Sequence, residues 1–279
     1  MNPVPRSPSR SRPRFGPALA SILSSLAVVA MLTAGSGGAG AEPGPTSVRS
    51  PERPAEPLVR LERADAWFGL ATVVGVGAIA FADHGLRRRA LAADGDGARR
   101  LARAVEPLGG PAVVGPALLL GYVAGRAFDR PALAAASGRV GISVAVAVVA
   151  SGAIKLAVGR VRPEDSAAES DPYQPFSGHA SFPSGHAALA FATATALDRE
   201  TTARWVPWVT YPLATLVGWS RVRDDRHWSS DVVAGAALGA WSAAKTHDAL
   251  RRRAGRSDRL GLHLDGRGST LRAAARVSF

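Results

Sequence analysis

The sequence predicts an all-α protein: a six-helix bundle followed by a short C-terminal tail. Three observations carry that prediction. Beyond Leu61, apolar runs lie near residues 66–82, 107–125, 140–158, 187–197, 205–219 and 232–246, separated by charged breaks marked with Gly or Pro. Their lengths suit helices better than strands, although the Val-rich GISVAVAVV of the third run is ambiguous by propensity. Small residues recur inside the runs, as in VVGVGAIA and VAGAALGA, which lets helices approach closely in water or in lipid. With 279 residues, 47% of them hydrophobic, the chain can bury one sizeable core and is not a disordered polymer.

The N-terminus reads as an export signal. Arg6, Arg10, Arg12 and Arg14 precede the apolar run ALASILSSLAVVAMLTAG. Small residues then lead to Ala39-Gly40-Ala41, which fits a signal-peptidase site before Glu42. The competing reading is an uncleaved anchor, because the run is near the roughly 20 residues that span a bilayer. Residues 42–60 are proline-rich and lack hydrophobic periodicity, as expected of a linker. Residues 61–250 then hold the helical domain, and residues 251–279 form a basic tail in which Asp265-Gly266 can turn a short hairpin.

Charge and composition remove several function classes. The formal net charge is +12 and almost every cation is arginine, Lys155 and Lys245 being the only lysines. Such a bias suits nucleic acid, an anionic membrane surface or anionic substrates. No helix-turn-helix, zinc-finger or aromatic-plus-basic strand signature points to nucleic acid. The chain has no cysteine, which removes disulfides, thiol catalysis and thiolate metal sites together. Several apolar runs fall short of about 20 residues, and the mean hydropathy of +0.06 is low for a polytopic protein. The six arginines between Asp83 and Ala104 would place that loop in the cytoplasm by the positive-inside rule, and strict alternation would then put Arg251 to Arg256 outside. A soluble or peripherally attached periplasmic domain avoids the conflict and is the expectation here, with an integral inner-membrane protein as the alternative.

Three charged clusters sit at predicted helix ends. In KLAVGRVRP, Arg162 follows Lys155 by seven residues, close to two helical turns, which would put both cations on one face at the C-terminal end of the third run. Compensation of the helix dipole is the ordinary use of such cations, but a lysine inside an apolar run of an arginine-rich chain calls for more. In FPSGHAALAF, Pro183, Ser184, Gly185 and His186 open the fourth run, where unpaired N–H groups and the Ser184 hydroxyl can hold an anion and Gly185 leaves room for it. A serine N-cap with an incidental histidine would look the same. His179 opens no apolar run and reads as a loop histidine. In SRVRDDRHWSSD, Arg221, His227 and Asp231 lie between two apolar runs, where a solvated loop with Ser229, Ser230 or Asp231 as N-cap is the plain alternative.

Taken together, these clusters resemble the phosphatase sequence motif of the type 2 phosphatidic acid phosphatase and vanadium haloperoxidase superfamily. That motif reads Lys, six residues, Arg-Pro; then Pro-Ser-Gly-His; then Ser-Arg, five residues, His, three residues, Asp. Residues 155–163, 183–186 and 220–231 carry every position of it, and the count of six helices also looks like the family. The resemblance implies that Lys155, Arg162 and Arg221 neutralise a phosphate, with Ser184 and the Gly185 N–H completing the cradle. It implies His227 as the nucleophile, Asp231 as the group that orients its imidazole, and His186 as the acid that protonates the leaving oxygen. Arg223, Asp224, Asp225 and Arg226 are expected to be solvent-facing spacers.

The implied activity is a metal-independent phosphatase without a cofactor, exported to the periplasm or cell envelope. Its substrates would be lipid phosphates or polyprenyl diphosphates met at a membrane surface, with no nucleic-acid partner. A periplasmic acid phosphatase acting on soluble monoesters and a vanadium-dependent haloperoxidase are the alternatives; the short spacing from residue 186 to residue 227 argues against the haloperoxidase.

Overall fold

The computed structural model describes residues 60–92, 95–166, 173–257, 261–267 and 270–276, and the leader and linker readings fall outside them. Seven α-helices occur among these residues: α1 (Arg63–Ala92), α2 (Asp96–Val105), α3 (Pro111–Ala127), α4 (Pro131–Val158), α5 (Gly185–Glu200), α6 (Val206–Arg223) and α7 (Ser229–Ser257). Short 3-10 turns at Glu106–Gly109 and Pro163–Asp165 join α2 to α3 and follow α4.

All six predicted helices are present, with one more. The extra one is α2, which together with the end of α1 fills most of the arginine-rich segment 83–104 expected to be a loop. Its apolar residues are interleaved with charged ones, and only Ala102 and Val105 are buried. The predicted domain boundary at residue 250 falls inside α7. Beyond it, β1 (Gly261–Arg267) pairs antiparallel with β2 (Thr270–Arg276). The tail is therefore a hairpin, but its turn is not at Asp265-Gly266, which pair with Arg272 and Leu271 within the ladder.

Local chemistry sets the helix ends that matter for the site. Pro111 and Pro131 start α3 and α4, where a missing N–H costs nothing. Gly159 stops α4 in the left-handed conformation at φ 59°, its N–H bonded to the Lys155 carbonyl. A Cβ there would meet the Gln174 carbonyl oxygen at 1.8 Å. Lys155 and Arg162 thus do not share a helical face as their spacing suggested: Lys155 ends α4, and Arg162 lies three residues past its stop in extended backbone (φ −73°, ψ 154°).

The core is built on α5, whose Ala187, Ala188, Leu189, Ala190, Ala192, Ala194, Thr195 and Ala196 are all buried. Leu189, Ala192 and Ala196 pack with Val140, Val144 and Ala147 of α4 and Ala243 of α7. Ala190 and Ala194 pack with Ala214 and Val217 of α6. Such small side chains let the helices cross closely: a Cβ on Gly239 of α7 would sit 2.1 Å from the Ala188 carbonyl oxygen, and one on Gly235 would sit 2.4 Å from that of Ser184. The α5–α7 crossing therefore fixes the backbone on which Ser184 stands.

Outside this core the surface is strongly apolar. Trp67, Val73, Val74 and Phe81 of α1, Leu120 of α3 and Trp208 of α6 are all more than 60% exposed. Helices α1 and α4, at 30 and 28 residues, are long and apolar enough to cross a membrane. The sequence runs looked too short because charged and small residues at their ends continue the helix beyond the apolar core.

Gly239→Val should test the close crossing. Overpacking costs about 1–3 kcal/mol, and the atom met is backbone, so a lower unfolding midpoint in detergent is expected; an unchanged midpoint would show that the helices are free to separate.

Candidate active site

The three sequence clusters come together at one end of the bundle. Lys155 arrives at the C-terminal end of α4, Ser184 and His186 at the start of α5, Arg221 at the end of α6, and Asp231 in the first turn of α7. His227 lies in the link between α6 and α7, its N–H bonded to the Arg221 carbonyl.

Ser184 precedes α5 as its N-cap residue, yet its side chain makes no capping bond, and the Oγ is buried without a partner. A hydroxyl in that condition is costly unless something is meant to bind it. The Lys155 side chain runs past Gly185, where a Cβ would stand 3.6 Å from Cε, and its Nζ donates to the Ala180 carbonyl at 2.7 Å. Arg221 is buried and held by Glu106 at 2.7 Å and Asp224 at 2.9 Å. Arg162 is half-exposed and lies 3.6 Å from Glu164.

Two histidines face this cluster of cations, and both are held well below the ordinary range, at about 4. For His186 burial is the main cause, followed by Arg221, with Glu106 opposing and Lys155 and Arg162 adding to the depression. For His227 burial again dominates; Asp231 opposes it while Lys155 and Arg162 reinforce it. The His227 Nδ1 points to Asp231 Oδ2 at 3.7 Å, an electrostatic approach longer than a hydrogen bond, and has no hydrogen-bond partner. Burial tends to raise the Asp231 carboxyl, but His227, Arg160 and Ser181 outweigh it and hold the group below its usual value.

Several residues at this end were not anticipated. Asp231 accepts from Ser181 Oγ at 2.5 Å, the Trp228 N–H at 2.9 Å and Arg160 Nη1 at 2.6 Å. Neither Ser229 nor Ser230 provides the local cap that the sequence suggested; Asp231, inside the first turn, bonds back to Trp228. Arg160 stood in the sequence as one more arginine. Glu106 and Gly109 lie on the 3-10 turn that abuts His186, where a Cβ on Gly109 would meet its carbonyl oxygen at 3.1 Å. The four expected spacers are mostly engaged: Asp224 binds Arg221, Asp225 binds Arg87 at 2.6 Å, and Arg223 is nearly buried, leaving Arg226 exposed with a 2.7 Å bond to Glu164. His179, read as a loop histidine, is in the segment between Tyr173 and α5.

Chemically, the arrangement offers three cations and an unpartnered hydroxyl at a helix N-terminus, flanked by two neutral imidazoles. It suits a multiply charged oxyanion such as phosphate.

Comparison with known proteins agrees. Residues 136–253 match the family model of the PAP2 superfamily, which bears out the resemblance carried by the three motifs. The chain is 34% identical over 127 residues to a lipid A 1-phosphatase of Porphyromonas gingivalis. That alignment takes in 43% of this chain but only 26% of the relative, so the chain spans about a quarter of that protein's length. Among solved structures, a transmembrane PAP2-type phosphatidylglycerolphosphate phosphatase of Bacillus subtilis superposes with a TM-score of 0.53 at 20% identity, over 67% of this chain and 96% of the other. This likeness establishes the shared all-helical fold.

Histidine-selective NMR in detergent should find both His186 and His227 neutral at pH 6, since each lies near 4 rather than 6.5. Inorganic phosphate should move His186 toward the protonated form by cancelling the surrounding cations. Two histidines titrating near 6.5 would contradict the burial described here.

Proposed function

We propose that this chain, with its PAP2-superfamily segment at residues 136–253, is a membrane-integral phosphatase that removes phosphate from a lipid monoester or diphosphate through a phosphohistidine intermediate. The observation that carries the reading is the convergence of Lys155, Arg162 and Arg221 on His186, and of Lys155 and Arg162 on His227, at the helix start that presents the unpartnered Ser184 hydroxyl. The lipid nature of the substrate is supported by the apolar belt around the bundle and by the relatives' names, a lipid A 1-phosphatase and a phosphatidylglycerolphosphate phosphatase.

In this scheme the three cations and the Ser184 and Gly185 groups bind the phosphoryl oxygens and stabilise charge in the transition state. His227 Nε2, the ring nitrogen other than the one facing Asp231, attacks phosphorus, forming an N–P bond as the P–O ester bond breaks. His186 gives its proton to the leaving alkoxide. Water then attacks the phosphohistidine, His186 takes a proton from that water, and inorganic phosphate leaves with His227 regenerated. Asp231 opposes the positive charge that develops on the His227 ring.

The depressed His186 fits this cycle only when substrate is counted. A histidine near 4 is neutral at pH 7 and cannot act as an acid. Burial is the main cause of the depression, and Arg221, Lys155 and Arg162 add to it; a phosphate dianion that neutralises these three cations shifts His186 back toward the protonated form that an acid requires.

His227→Ala should abolish phosphate release and leave no acid-labile, base-stable phosphoryl label on the protein after a rapid quench; label on a serine or an aspartate would overturn the mechanism. His186→Ala should cost roughly 10² to 10⁴ in single-turnover rate on an alkyl or lipid phosphate. It should cost much less on p-nitrophenyl phosphate, whose phenolate leaves without a proton. Equal losses on both would show that His186 binds phosphate and donates no proton.

The membrane reading has its own test. The chain lacks cysteine, so single cysteines report cleanly. Arg88 stands at the site end of α1 and Arg252 near the far end of α7, both exposed. Arg88→Cys and Arg252→Cys should react with an impermeant maleimide from opposite sides of the membrane, and the protein should resist alkaline extraction. Labelling of both from one side would mean that the bundle lies on the bilayer.

A further inference from the structure

We infer that Asp83, on α1, is a positioning residue for the His227–Asp231 pair and acts through Arg160; the inference rests on the functional reading above for what that pair does. Asp83 is a carboxylate at 2% exposure on a helix whose other faces are largely apolar and exposed. It lies outside the span 155–231 that carries the motif, and neither the phosphate cradle nor the proton transfers described above use it.

Its bonds all lead to the catalytic loop. Oδ1 accepts the Ser230 N–H at 3.0 Å, so a helix distant in sequence caps the first turn of α7, which carries Asp231. Oδ2 accepts from Arg160 Nη2 at 3.0 Å and from the Ser230 hydroxyl. Arg160 Nη1 in turn donates to Ser230 Oγ at 2.7 Å and Asp231 Oδ1 at 2.6 Å. One guanidinium is therefore shared between two buried carboxylates, one of which faces His227.

The geometry explains what Asp83 contributes. Arg160 occupies the Oδ1 side of Asp231, while Ser181 and the Trp228 N–H occupy Oδ2, the oxygen that His227 Nδ1 approaches. Arg160 can hold that pose only if its other nitrogen is also bound. Without Asp83 the guanidinium turns fully onto Asp231, draws its carboxylate away and lessens the negative charge opposite the His227 ring. The titratable and charged groups around His227 are Lys155 of α4, Arg160 and Arg162 after it, and Asp231 of α7; on α1, Asp83 binds Arg160 and the His84 ring packs on Trp228. Asp83 is the anion that balances Arg160.

The same helix makes a second tie that serves as a control. Arg87 binds Asp225 through Nε and Nη2, at 2.7 and 2.6 Å, and lies over the Trp228 ring, with no bond to Arg160 or Asp231. If Asp83 only fastened α1 to the loop, breaking the Arg87 tie would have the same effect.

The experiment compares wild type, Asp83→Asn, Ser230→Ala and Arg87→Ala in detergent. The ¹⁵N signals of the His227 ring at pH 7 report the tautomer without requiring turnover. Single-turnover rate and inhibition by inorganic phosphate report catalysis and binding separately. Wild-type His227 should be protonated at Nδ1, facing Asp231; Asp83→Asn should give mixed tautomers. Its rate should fall by about 10²-fold, the scale on which a misplaced reacting group is felt, with phosphate inhibition unchanged. Ser230→Ala removes the hydroxyl shared by Asp83 and Arg160 and should move both readouts the same way by less, which keeps the test open if Asp83→Asn does not fold. Arg87→Ala should leave the tautomer alone. A wild-type tautomer in both Asp83→Asn and Ser230→Ala overturns the inference. So does a rate loss matched by weaker phosphate inhibition, or one equalled by Arg87→Ala. Should the tautomers respond as stated while wild type hydrolyses no phosphate ester, the positioning role stands and the proposed activity falls.

Discussion

One buried guanidinium organises the end of the bundle at which the candidate site residues gather. Arg160 is about 5% exposed and lies between Asp83 and Asp231, each at 2% or less, with its plane near the rings of Tyr173 and Trp228. Stripping water from three charges is expensive, and only near-complete hydrogen bonding returns the cost. The structure meets that demand by drawing three segments of chain to one point: the end of α1, the strand-like stretch after α4 and the first turn of α7. Removing one partner of such a network leaves a buried charge uncompensated, at about 3–5 kcal/mol. The geometry of the site is thus tied to the stability of the fold. A helix packed on the outside of the bundle becomes part of the end that carries the candidate site.

A second constraint sits beside it. The small residues of α5 and α7 bring their backbones together until Gly235 touches Ser184, which fixes the start of α5 and the hydroxyl it presents. The cations then come from neighbouring helix ends, where side chains can reach past the backbone. Lys155 and Arg221 arrive from the C-terminal ends of α4 and α6. Cations there are favoured by the helix dipoles before any ligand is considered, so part of the proposed phosphate site is held in place by ordinary helix electrostatics.

These two constraints explain what could be read from the residues. The eight candidate positions gather at one end because the motif spacings record which helix ends must meet. The helical-face argument for Lys155 and Arg162 failed since Gly159 ends the helix between them, and a spacing of seven is equally served by a chain reversal. Arg160 and Asp83 escaped notice for a different reason. In so basic a chain one more arginine carries no signal, and Asp83 looked like the first charge of a solvated segment. Its spacing of four from Arg87 was the available clue, because both then lie on one face of a continued α1, and that face meets the 225–231 loop. The additional α2 forms no apolar run; its signal is instead the helical spacing of Ala98, Leu101, Ala102 and Val105, at i, i+3, i+4 and i+7 between charged residues.

The alternation of the bundle also couples two readings that the sequence presents separately. Helices α1, α4 and α6 reach the site with their C-terminal ends, whereas α3, α5 and α7 begin there. Fixing the side of one end fixes the side of all. If α1 crosses the membrane once, a leader that carries residues 42–62 across would start α1 outside and leave the site inside. A site facing outward requires the start of α1 to remain inside. Export of the N-terminal segment and an outward site are compatible only for a domain that does not cross the bilayer, the arrangement the short apolar runs first suggested. The arginines do not break the tie, since both ends carry them: Arg87 to Arg103 at the site and Arg251 to Arg253 opposite. At the site end, moreover, Arg87 already has a use in holding Asp225. The fate of residues 18–35 and the face on which phosphate is met are therefore a single property of this fold.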